Sequence, residues 1–239
     1  MNDTTKLTMR HAAIAGLALT ATSAHAAVVF TTATNGPVSP SSTTDELAYA
    51  GDVSTTDLLN GIVGVSSGSW GANGATPAGL NDGTHGGDYE ADGLPALVGA
   101  SWALANGATM EYDLGVGSGD GYDITEIQSI AAWQNLGLSN QNYNVLVKYV
   151  GDAGFTALTT VTYQPFTSGG GSTKVNVTDD TGVLASGIEA IKFDFLATDG
   201  NGSSVYREID VLGSAAVPEP TTTALLALGG LALILRRRK

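Results

Sequence analysis

The residues best suited to chemistry are aromatic and acidic. Trp70 lies in SSGSWGANG (66–74), a stretch of small residues that would leave an indole ring open. A sugar ring can lay its C–H face on such an aromatic while Asn and Asp nearby take its hydroxyls, so Trp70 is a candidate platform, followed by Tyr89 and Tyr122. Trp102 and Trp133 fall in or beside strand patterns and are expected in the core. Asp120 and Asp123 in GSGDGYD superficially suggest a cation loop. They lack the spaced ligands and closing Glu of an EF-hand and read as a connection between strands. His85, alone in a Gly-rich segment, is expected to be polar surface. No G-x-S-x-G elbow accompanies it, and no phosphate loop, dinucleotide fingerprint or zinc-ligand set is present. Carboxylates are so abundant that a suitably spaced pair for glycoside hydrolysis would arise by chance, so their number argues for no enzyme.

Both ends of the chain read as processing segments. Lys6 and Arg10 precede an apolar run from Ala12 to Ala21, and Ala24-His25-Ala26 supplies a small-x-small cleavage site before Ala27. Residues 1–26 are therefore expected to be a signal helix, too short to span a bilayer. The chain contains no cysteine, so an exported domain of this sequence is expected to hold together by its core, with a metal as the one further aid open to it.

Setting the ends aside sharpens the charge. The whole chain carries 10 Lys and Arg against 23 Asp and Glu, for −13. Lys6, Arg10, Arg236, Arg237, Arg238 and Lys239 are terminal, leaving four bases against 22 acids (23 less Asp3), or roughly −18. Such a surface repels nucleic acid and favours cations.

The elements that must position these residues are strands. Tyr143, Val145, Val147 and Tyr149 alternate with Asn142, Asn144, Leu146 and Lys148. Ile191, Phe193 and Phe195 alternate with Lys192 and Asp194. Val205, Arg207, Ile209 and Val211 alternate with Tyr206, Glu208 and Asp210. Further strands are expected at 28–32, 110–114, 124–133, 158–163 and 174–177, separated by Gly-, Asn- and Asp-rich turns. About eight short strands predict an all-β antiparallel sandwich, a jelly roll, over residues 27–213.

The order of LNDG (80–83), SWALANGATMEYDLG (101–115), ITEIQSIAAW (124–133), NYNVLVKYVGDAGFTAL (142–158), GIEAIKFDF (187–195) and VYREIDVLG (205–213) resembles the discoidin, or coagulation-factor type C, domain of the galactose-binding-like jelly rolls. Residues 85–99 look like an inserted loop. The resemblance implies a carbohydrate-binding module and a structural calcium ion held by Asp82, Thr84 and Glu208. The other reading of these residues is that Asp82 caps a turn and Glu208 is a solvated strand residue.

Residues 214–239 divide into a linker with Val217-Pro218-Glu219-Pro220 (214–220), an apolar run (221–235) and the basic stop Arg236, Arg237, Arg238 and Lys239. Pro on both sides of Glu219 keeps that segment extended. A helix over the apolar run would be roughly 22 Å long, a short transmembrane helix whose positive end favours the cytoplasm. This arrangement resembles the PEP-CTERM sorting signal. It implies export in a Gram-negative bacterium, a tethered intermediate at the inner membrane, processing by an exosortase, and delivery to the cell surface or extracellular matrix. Three roles stay open at this stage: binding an extracellular polysaccharide, a structural surface protein without a small ligand, and a polysaccharide hydrolase.

Overall fold

A computed structural model describes residues 27–38, 43–70, 77–86, 101–104 and 107–217. The expected signal helix, most of the expected insertion at 85–99 and the segment beyond Val217 lie outside the described residues. The described residues form ten strands: β1 (Val28–Val38), β2 (Val65–Ser67), β3 (Ser101–Leu104), β4 (Ala108–Asp113), β5 (Tyr122–Trp133), β6 (Gln141–Tyr149), β7 (Thr156–Tyr163), β8 (Gly170–Asp179), β9 (Ala185–Phe195) and β10 (Ser203–Ala215). One short helix, α1 (Thr43–Glu46), follows β1. The expected strands are all present and mostly longer at their ends. β2 and β3, of three and four residues, are too short to leave a period in the sequence.

All pairings are antiparallel, and the hydrogen bonding forms two layers. Layer one runs β3-β10-β5-β8-β1 and layer two runs β2-β4-β9-β6-β7. The start of β5 crosses between them, pairing Tyr122 with Ile188 and Ile124 with Ala185. Ile127, Ala131, Val175, Val177, Ile209 and Val211 of layer one face Met110, Tyr112, Tyr143, Val145, Phe193 and Phe195 of layer two in a single buried core. Burying a side chain of this size stabilises by about 1.5–3 kcal/mol, which is how a chain without disulfides holds the layers together. Tyr143 spans the gap: its hydroxyl donates to Ser129 Oγ at 2.7 Å, and its ring lies edge-on to Phe193 and Tyr206.

The alternation expected for β10 breaks at Arg207. Tyr206 pairs with Ala131 and Glu208 with Ile130, so β10 carries one extra residue, a β-bulge. Tyr206 joins Ile209 and Val211 on the core side, and Arg207 leaves the face the alternation assigns to it. Glu208 and Asp210 face outward. Their β5 partners Ile130 and Gln128 face the same way, opposite to Ile127, Ser129 and Ala131. That outer face is not solvated, because residues 45–60 and 77–86 lie over it as a strap.

Candidate functional site

The strap is fixed by polar contacts to layer one. The Ser54 N–H donates to Asp210 Oδ2 at 3.0 Å, and the Leu58 N–H to the Val211 carbonyl at 2.8 Å. Gln128 Nε2 donates to both the Asp52 carbonyl (2.7 Å) and Asp210 Oδ2 (2.8 Å). Asn81, fully buried, donates to the carbonyls of Leu59 (2.7 Å) and Ile62 (3.0 Å) and accepts from the Tyr112 hydroxyl (3.2 Å). Gly64 is required where the loop crosses the core rim, since a Cβ there would lie 2.5 Å from Met110 Sδ.

Three buried carboxylates meet where the strap covers layer one: Glu208 and Asp210 of β10 and Asp57 of the strap itself. Glu208 and Asp210 are each 1% exposed, and Asp57 is also buried. Glu208 Oε1 accepts the Gly83 N–H at 3.1 Å, while its Oε2 is buried without a hydrogen-bond partner. Asp210 Oδ1 and Asp57 Oδ2 are in the same condition. Burial, with Asp210, Asp82 and Asp57 nearby, pushes the Glu208 carboxyl up to about 9. Burial likewise pushes Asp210 up to about 6 and raises Asp57.

Asp82 and Thr84, at the strap's surface, are joined to Glu208 through Gly83. Asp82 Oδ1 accepts the Thr84 N–H (3.0 Å) and hydroxyl (2.7 Å) in a closed turn. Asp82 thus does cap a turn, but Glu208 is not the solvated strand residue of the alternative reading. Among the described residues no set of three or more His, Cys, Asp or Glu side chains could hold a metal. Asp82 and Glu208 are two carboxylates linked through Gly83, with the Thr84 hydroxyl on Asp82 and one Glu208 oxygen buried without a hydrogen-bond partner.

His85 corrects its expectation. It is buried at 5% exposure, with Nε2 unpartnered, and burial together with the Arg207 guanidinium holds its pKa down to about 4. Arg207 leaves the bulge to donate from Nε to the Ala132 carbonyl (3.0 Å) and to pair with Glu46 Oε2 (3.5 Å), both side chains at or below 1% exposure.

A cleft of about 310 Å3 opens beside this site, lined by Asn60, Ile62, Val63, Asn81, Asp82 and Met110. Trp70 does not line it. The Trp70 ring is half-buried, edge-on to Phe195 at 5.5 Å, with Nε1 donating to the Ser67 carbonyl at 3.1 Å. Tyr122 packs half-buried against the core at the start of β5, and Tyr89 lies outside the described residues. Trp133 is buried as expected. Asp120 falls in the turn between β4 and β5, and Asp123 is the second residue of β5.

The fold makes the body an antiparallel β-sandwich of the jelly-roll class. The chain then ends in a PEP-CTERM sorting motif: the PEP-CTERM protein-sorting motif matches residues 216–239, directly after β10 ends at Ala215. The motif marks an exported, exosortase-processed protein. Pro218, Glu219, Pro220 and the basic stop of this motif, like Ala24 and Ala26 at the other end, lie outside the described residues. No curated protein matches the chain.

Among solved structures, the chain is similar to the CBM32-1 module of a family 31 glycoside hydrolase from Clostridium perfringens, at 13% identity and a TM-score of 0.41, over 62% of this chain and 93% of that one. It is similar to a family 32 carbohydrate-binding module from C. perfringens solved with galactose, at 15% identity and a TM-score of 0.39, over 62% of this chain and 92% of that one. A fucolectin from striped bass serum aligns at 13% identity and a TM-score of 0.43, over 64% of this chain and 46% of that one.

Proposed function

We propose that this chain is an exported surface or matrix protein of a Gram-negative cell whose jelly roll binds an extracellular polysaccharide at the cleft beside Asp82, with calcium organising the cleft wall. The observation that carries export is the sorting motif at 216–239, joined to β10 with almost no linker. The folded body would emerge beside the membrane, with Val217-Pro218-Glu219-Pro220 presented to an exosortase. Removal of residues 1–26 would leave Ala27 as the new amino terminus, directly ahead of β1, where its nitrogen lies 3.2 Å from Asp180 Oδ1.

For the ligand, the support is the cleft's lining. Asn60 and Asp82 are exposed and offer donors and acceptors to hydroxyls, and Ile62, Val63 and Met110 offer apolar surface to a ring's C–H face. Asp82, Thr84 and Glu208 would hold calcium, which supplies the positive charge that the buried Glu208 lacks and fixes the strap at Gly83. Isothermal titration with polysaccharides from exopolysaccharide-producing bacteria tests the reading. Binding that Asn60→Ala and Asp82→Ala weaken supports it, and failure of every polysaccharide to bind the calcium-loaded protein favours a purely structural surface role. Release of shorter sugars would instead indicate a hydrolase. Recovering surface-extracted protein with Arg236–Lys239 intact would count against exosortase processing.

A further inference from the structure

The two lateral sides of the sandwich are closed in different ways. On one side the layers end in β2 and β3, of three and four residues. On the other they end in β1 and β7, of eleven and eight residues. Long free edges expose rows of unpaired N–H and C=O groups, and proteins ordinarily guard them with charges, especially Lys. Neither β1 (VVFTTATNGPV) nor β7 (TALTTVTY) carries a charged residue, in a chain of net charge −13. Among the described residues β1 pairs only with β8, from Val28 opposite Asp179 onward. Beyond Ala33 the side chains of β1 are tied to neighbouring segments, the Thr34 hydroxyl to the Tyr163 hydroxyl and the Asn35 amide to Asp45, so Val28–Ala33 is the stretch with no such side-chain tie among the bonds described. Val29 and Phe30 are exposed there, Phe30 at 45%.

We infer that this edge is a self-association surface, where β1 of a second copy of this chain adds antiparallel to β1 across a two-fold axis. The partner must supply an extended backbone, because the unmet groups are ladder donors and acceptors. It must also be locally uncharged, since an acidic copy approaching by most other surfaces is repelled. A second β1 meets both demands, and the two-fold operation sets neutral residues against neutral residues. Its Phe30 would cover the small groove of about 170 Å3 between β1 and β7, whose lining includes Phe30, Val161, Tyr163 and Val175.

A polysaccharide fits the same groove poorly. The Thr160 and Thr162 hydroxyls are already engaged with Asn144 (2.7 Å) and Asn142 (3.1 Å), the Tyr163 hydroxyl with Thr34, and Phe30, Val161 and Val175 are apolar, which leaves Thr32 as the one further hydroxyl of the lining. Many copies delivered to one surface by the same sorting signal would also meet at high local concentration.

Sedimentation velocity on the exported, processed chain across a wide concentration range tests this. The expected result is a monomer–dimer equilibrium that Val29→Lys and Thr31→Lys each weaken by about tenfold or more, because each copy then brings a lysine into the shared edge within a few residues of its counterpart. Val65→Lys on the short edge β2 should leave it unchanged. Circular dichroism and the thermal midpoint establish that the β1 variants are folded. A wild-type chain that stays monomeric at every concentration overturns the proposal. So does a dimer that the folded β1 variants do not weaken, or that Val65→Lys disrupts equally.

Discussion

The outer faces of the two layers start from similar sequence and end in opposite environments. On layer two, Lys148 meets Glu189 at 2.6 Å and Lys192 meets Asp194 at 3.5 Å, all partly solvated. On layer one, β10 offers Glu208 and Asp210 with the same alternation, but the strap of residues 45–60 and 77–86 removes them from water together with His85, Arg207 and Glu46. An exposed pair gains little, because water already solvates both charges. A buried one must be satisfied or it destabilises the fold by several kcal/mol. The same residue types are therefore decoration on one face and structural commitments on the other.

The largest break in this contrast should come from Arg207→Met. It removes the buried Arg207–Glu46 ion pair and frees the Ala132 carbonyl, and should cost about 3–5 kcal/mol in urea unfolding. Next is Asn81→Ala, which leaves two strap carbonyls and the Tyr112 hydroxyl without their partner. A loss of about 2 kcal/mol is expected, with the cleft loop becoming more susceptible to protease.

The third concerns protons. Glu208 has a folded pKa of about 9, above its ordinary value, so the folded protein holds a proton that the unfolded chain gives up. Its contribution is greatest below the unfolded value and is lost as pH rises toward 9. Between pH 6.5 and 8.5 the chelated protein should lose up to about 1.4 kcal/mol per pH unit from this group, and its thermal midpoint should fall. Saturating calcium should raise the midpoint most at the upper end of that range. A chelated protein whose midpoint is flat there, and which calcium does not raise, would remove both the buried acid and the metal from the account. The smallest effect is expected on the open face, where Lys192→Ala should change stability by less than about 1 kcal/mol.

Much of the layer-two face could be read in advance. Asn142, Asn144, Leu146 and Lys148 alternate with Tyr143, Val145, Val147 and Tyr149, and β6 half-exposes the first set and buries the second except Tyr149, which is exposed at the strand's end. The alternation in β10 misassigns Arg207, because a bulge adds a residue without leaving a mark in side-chain type. His85 reads as surface because its neighbours are glycines. It is buried because a segment more than a hundred residues away in sequence, around Arg207, packs beneath it. Trp70 reads as a free ring among small residues, and only the proximity of Phe195 shows that it closes the rim of the core.

By itself the sequence determined what depends on local order. It set the period-two strands, the acidic and cysteine-free body, and a sorting motif that begins where the last strand stops. Its Asp82, Thr84 and Glu208 were also nameable as a candidate set. What only the tertiary structure decided is which faces of those strands meet water. That depends on a strap folding over one layer and not the other, and it makes Glu208 a buried carboxylate with an unmet oxygen. Burial is set by contacts between distant segments, and alternation along one strand carries no information about what will lie on top of it.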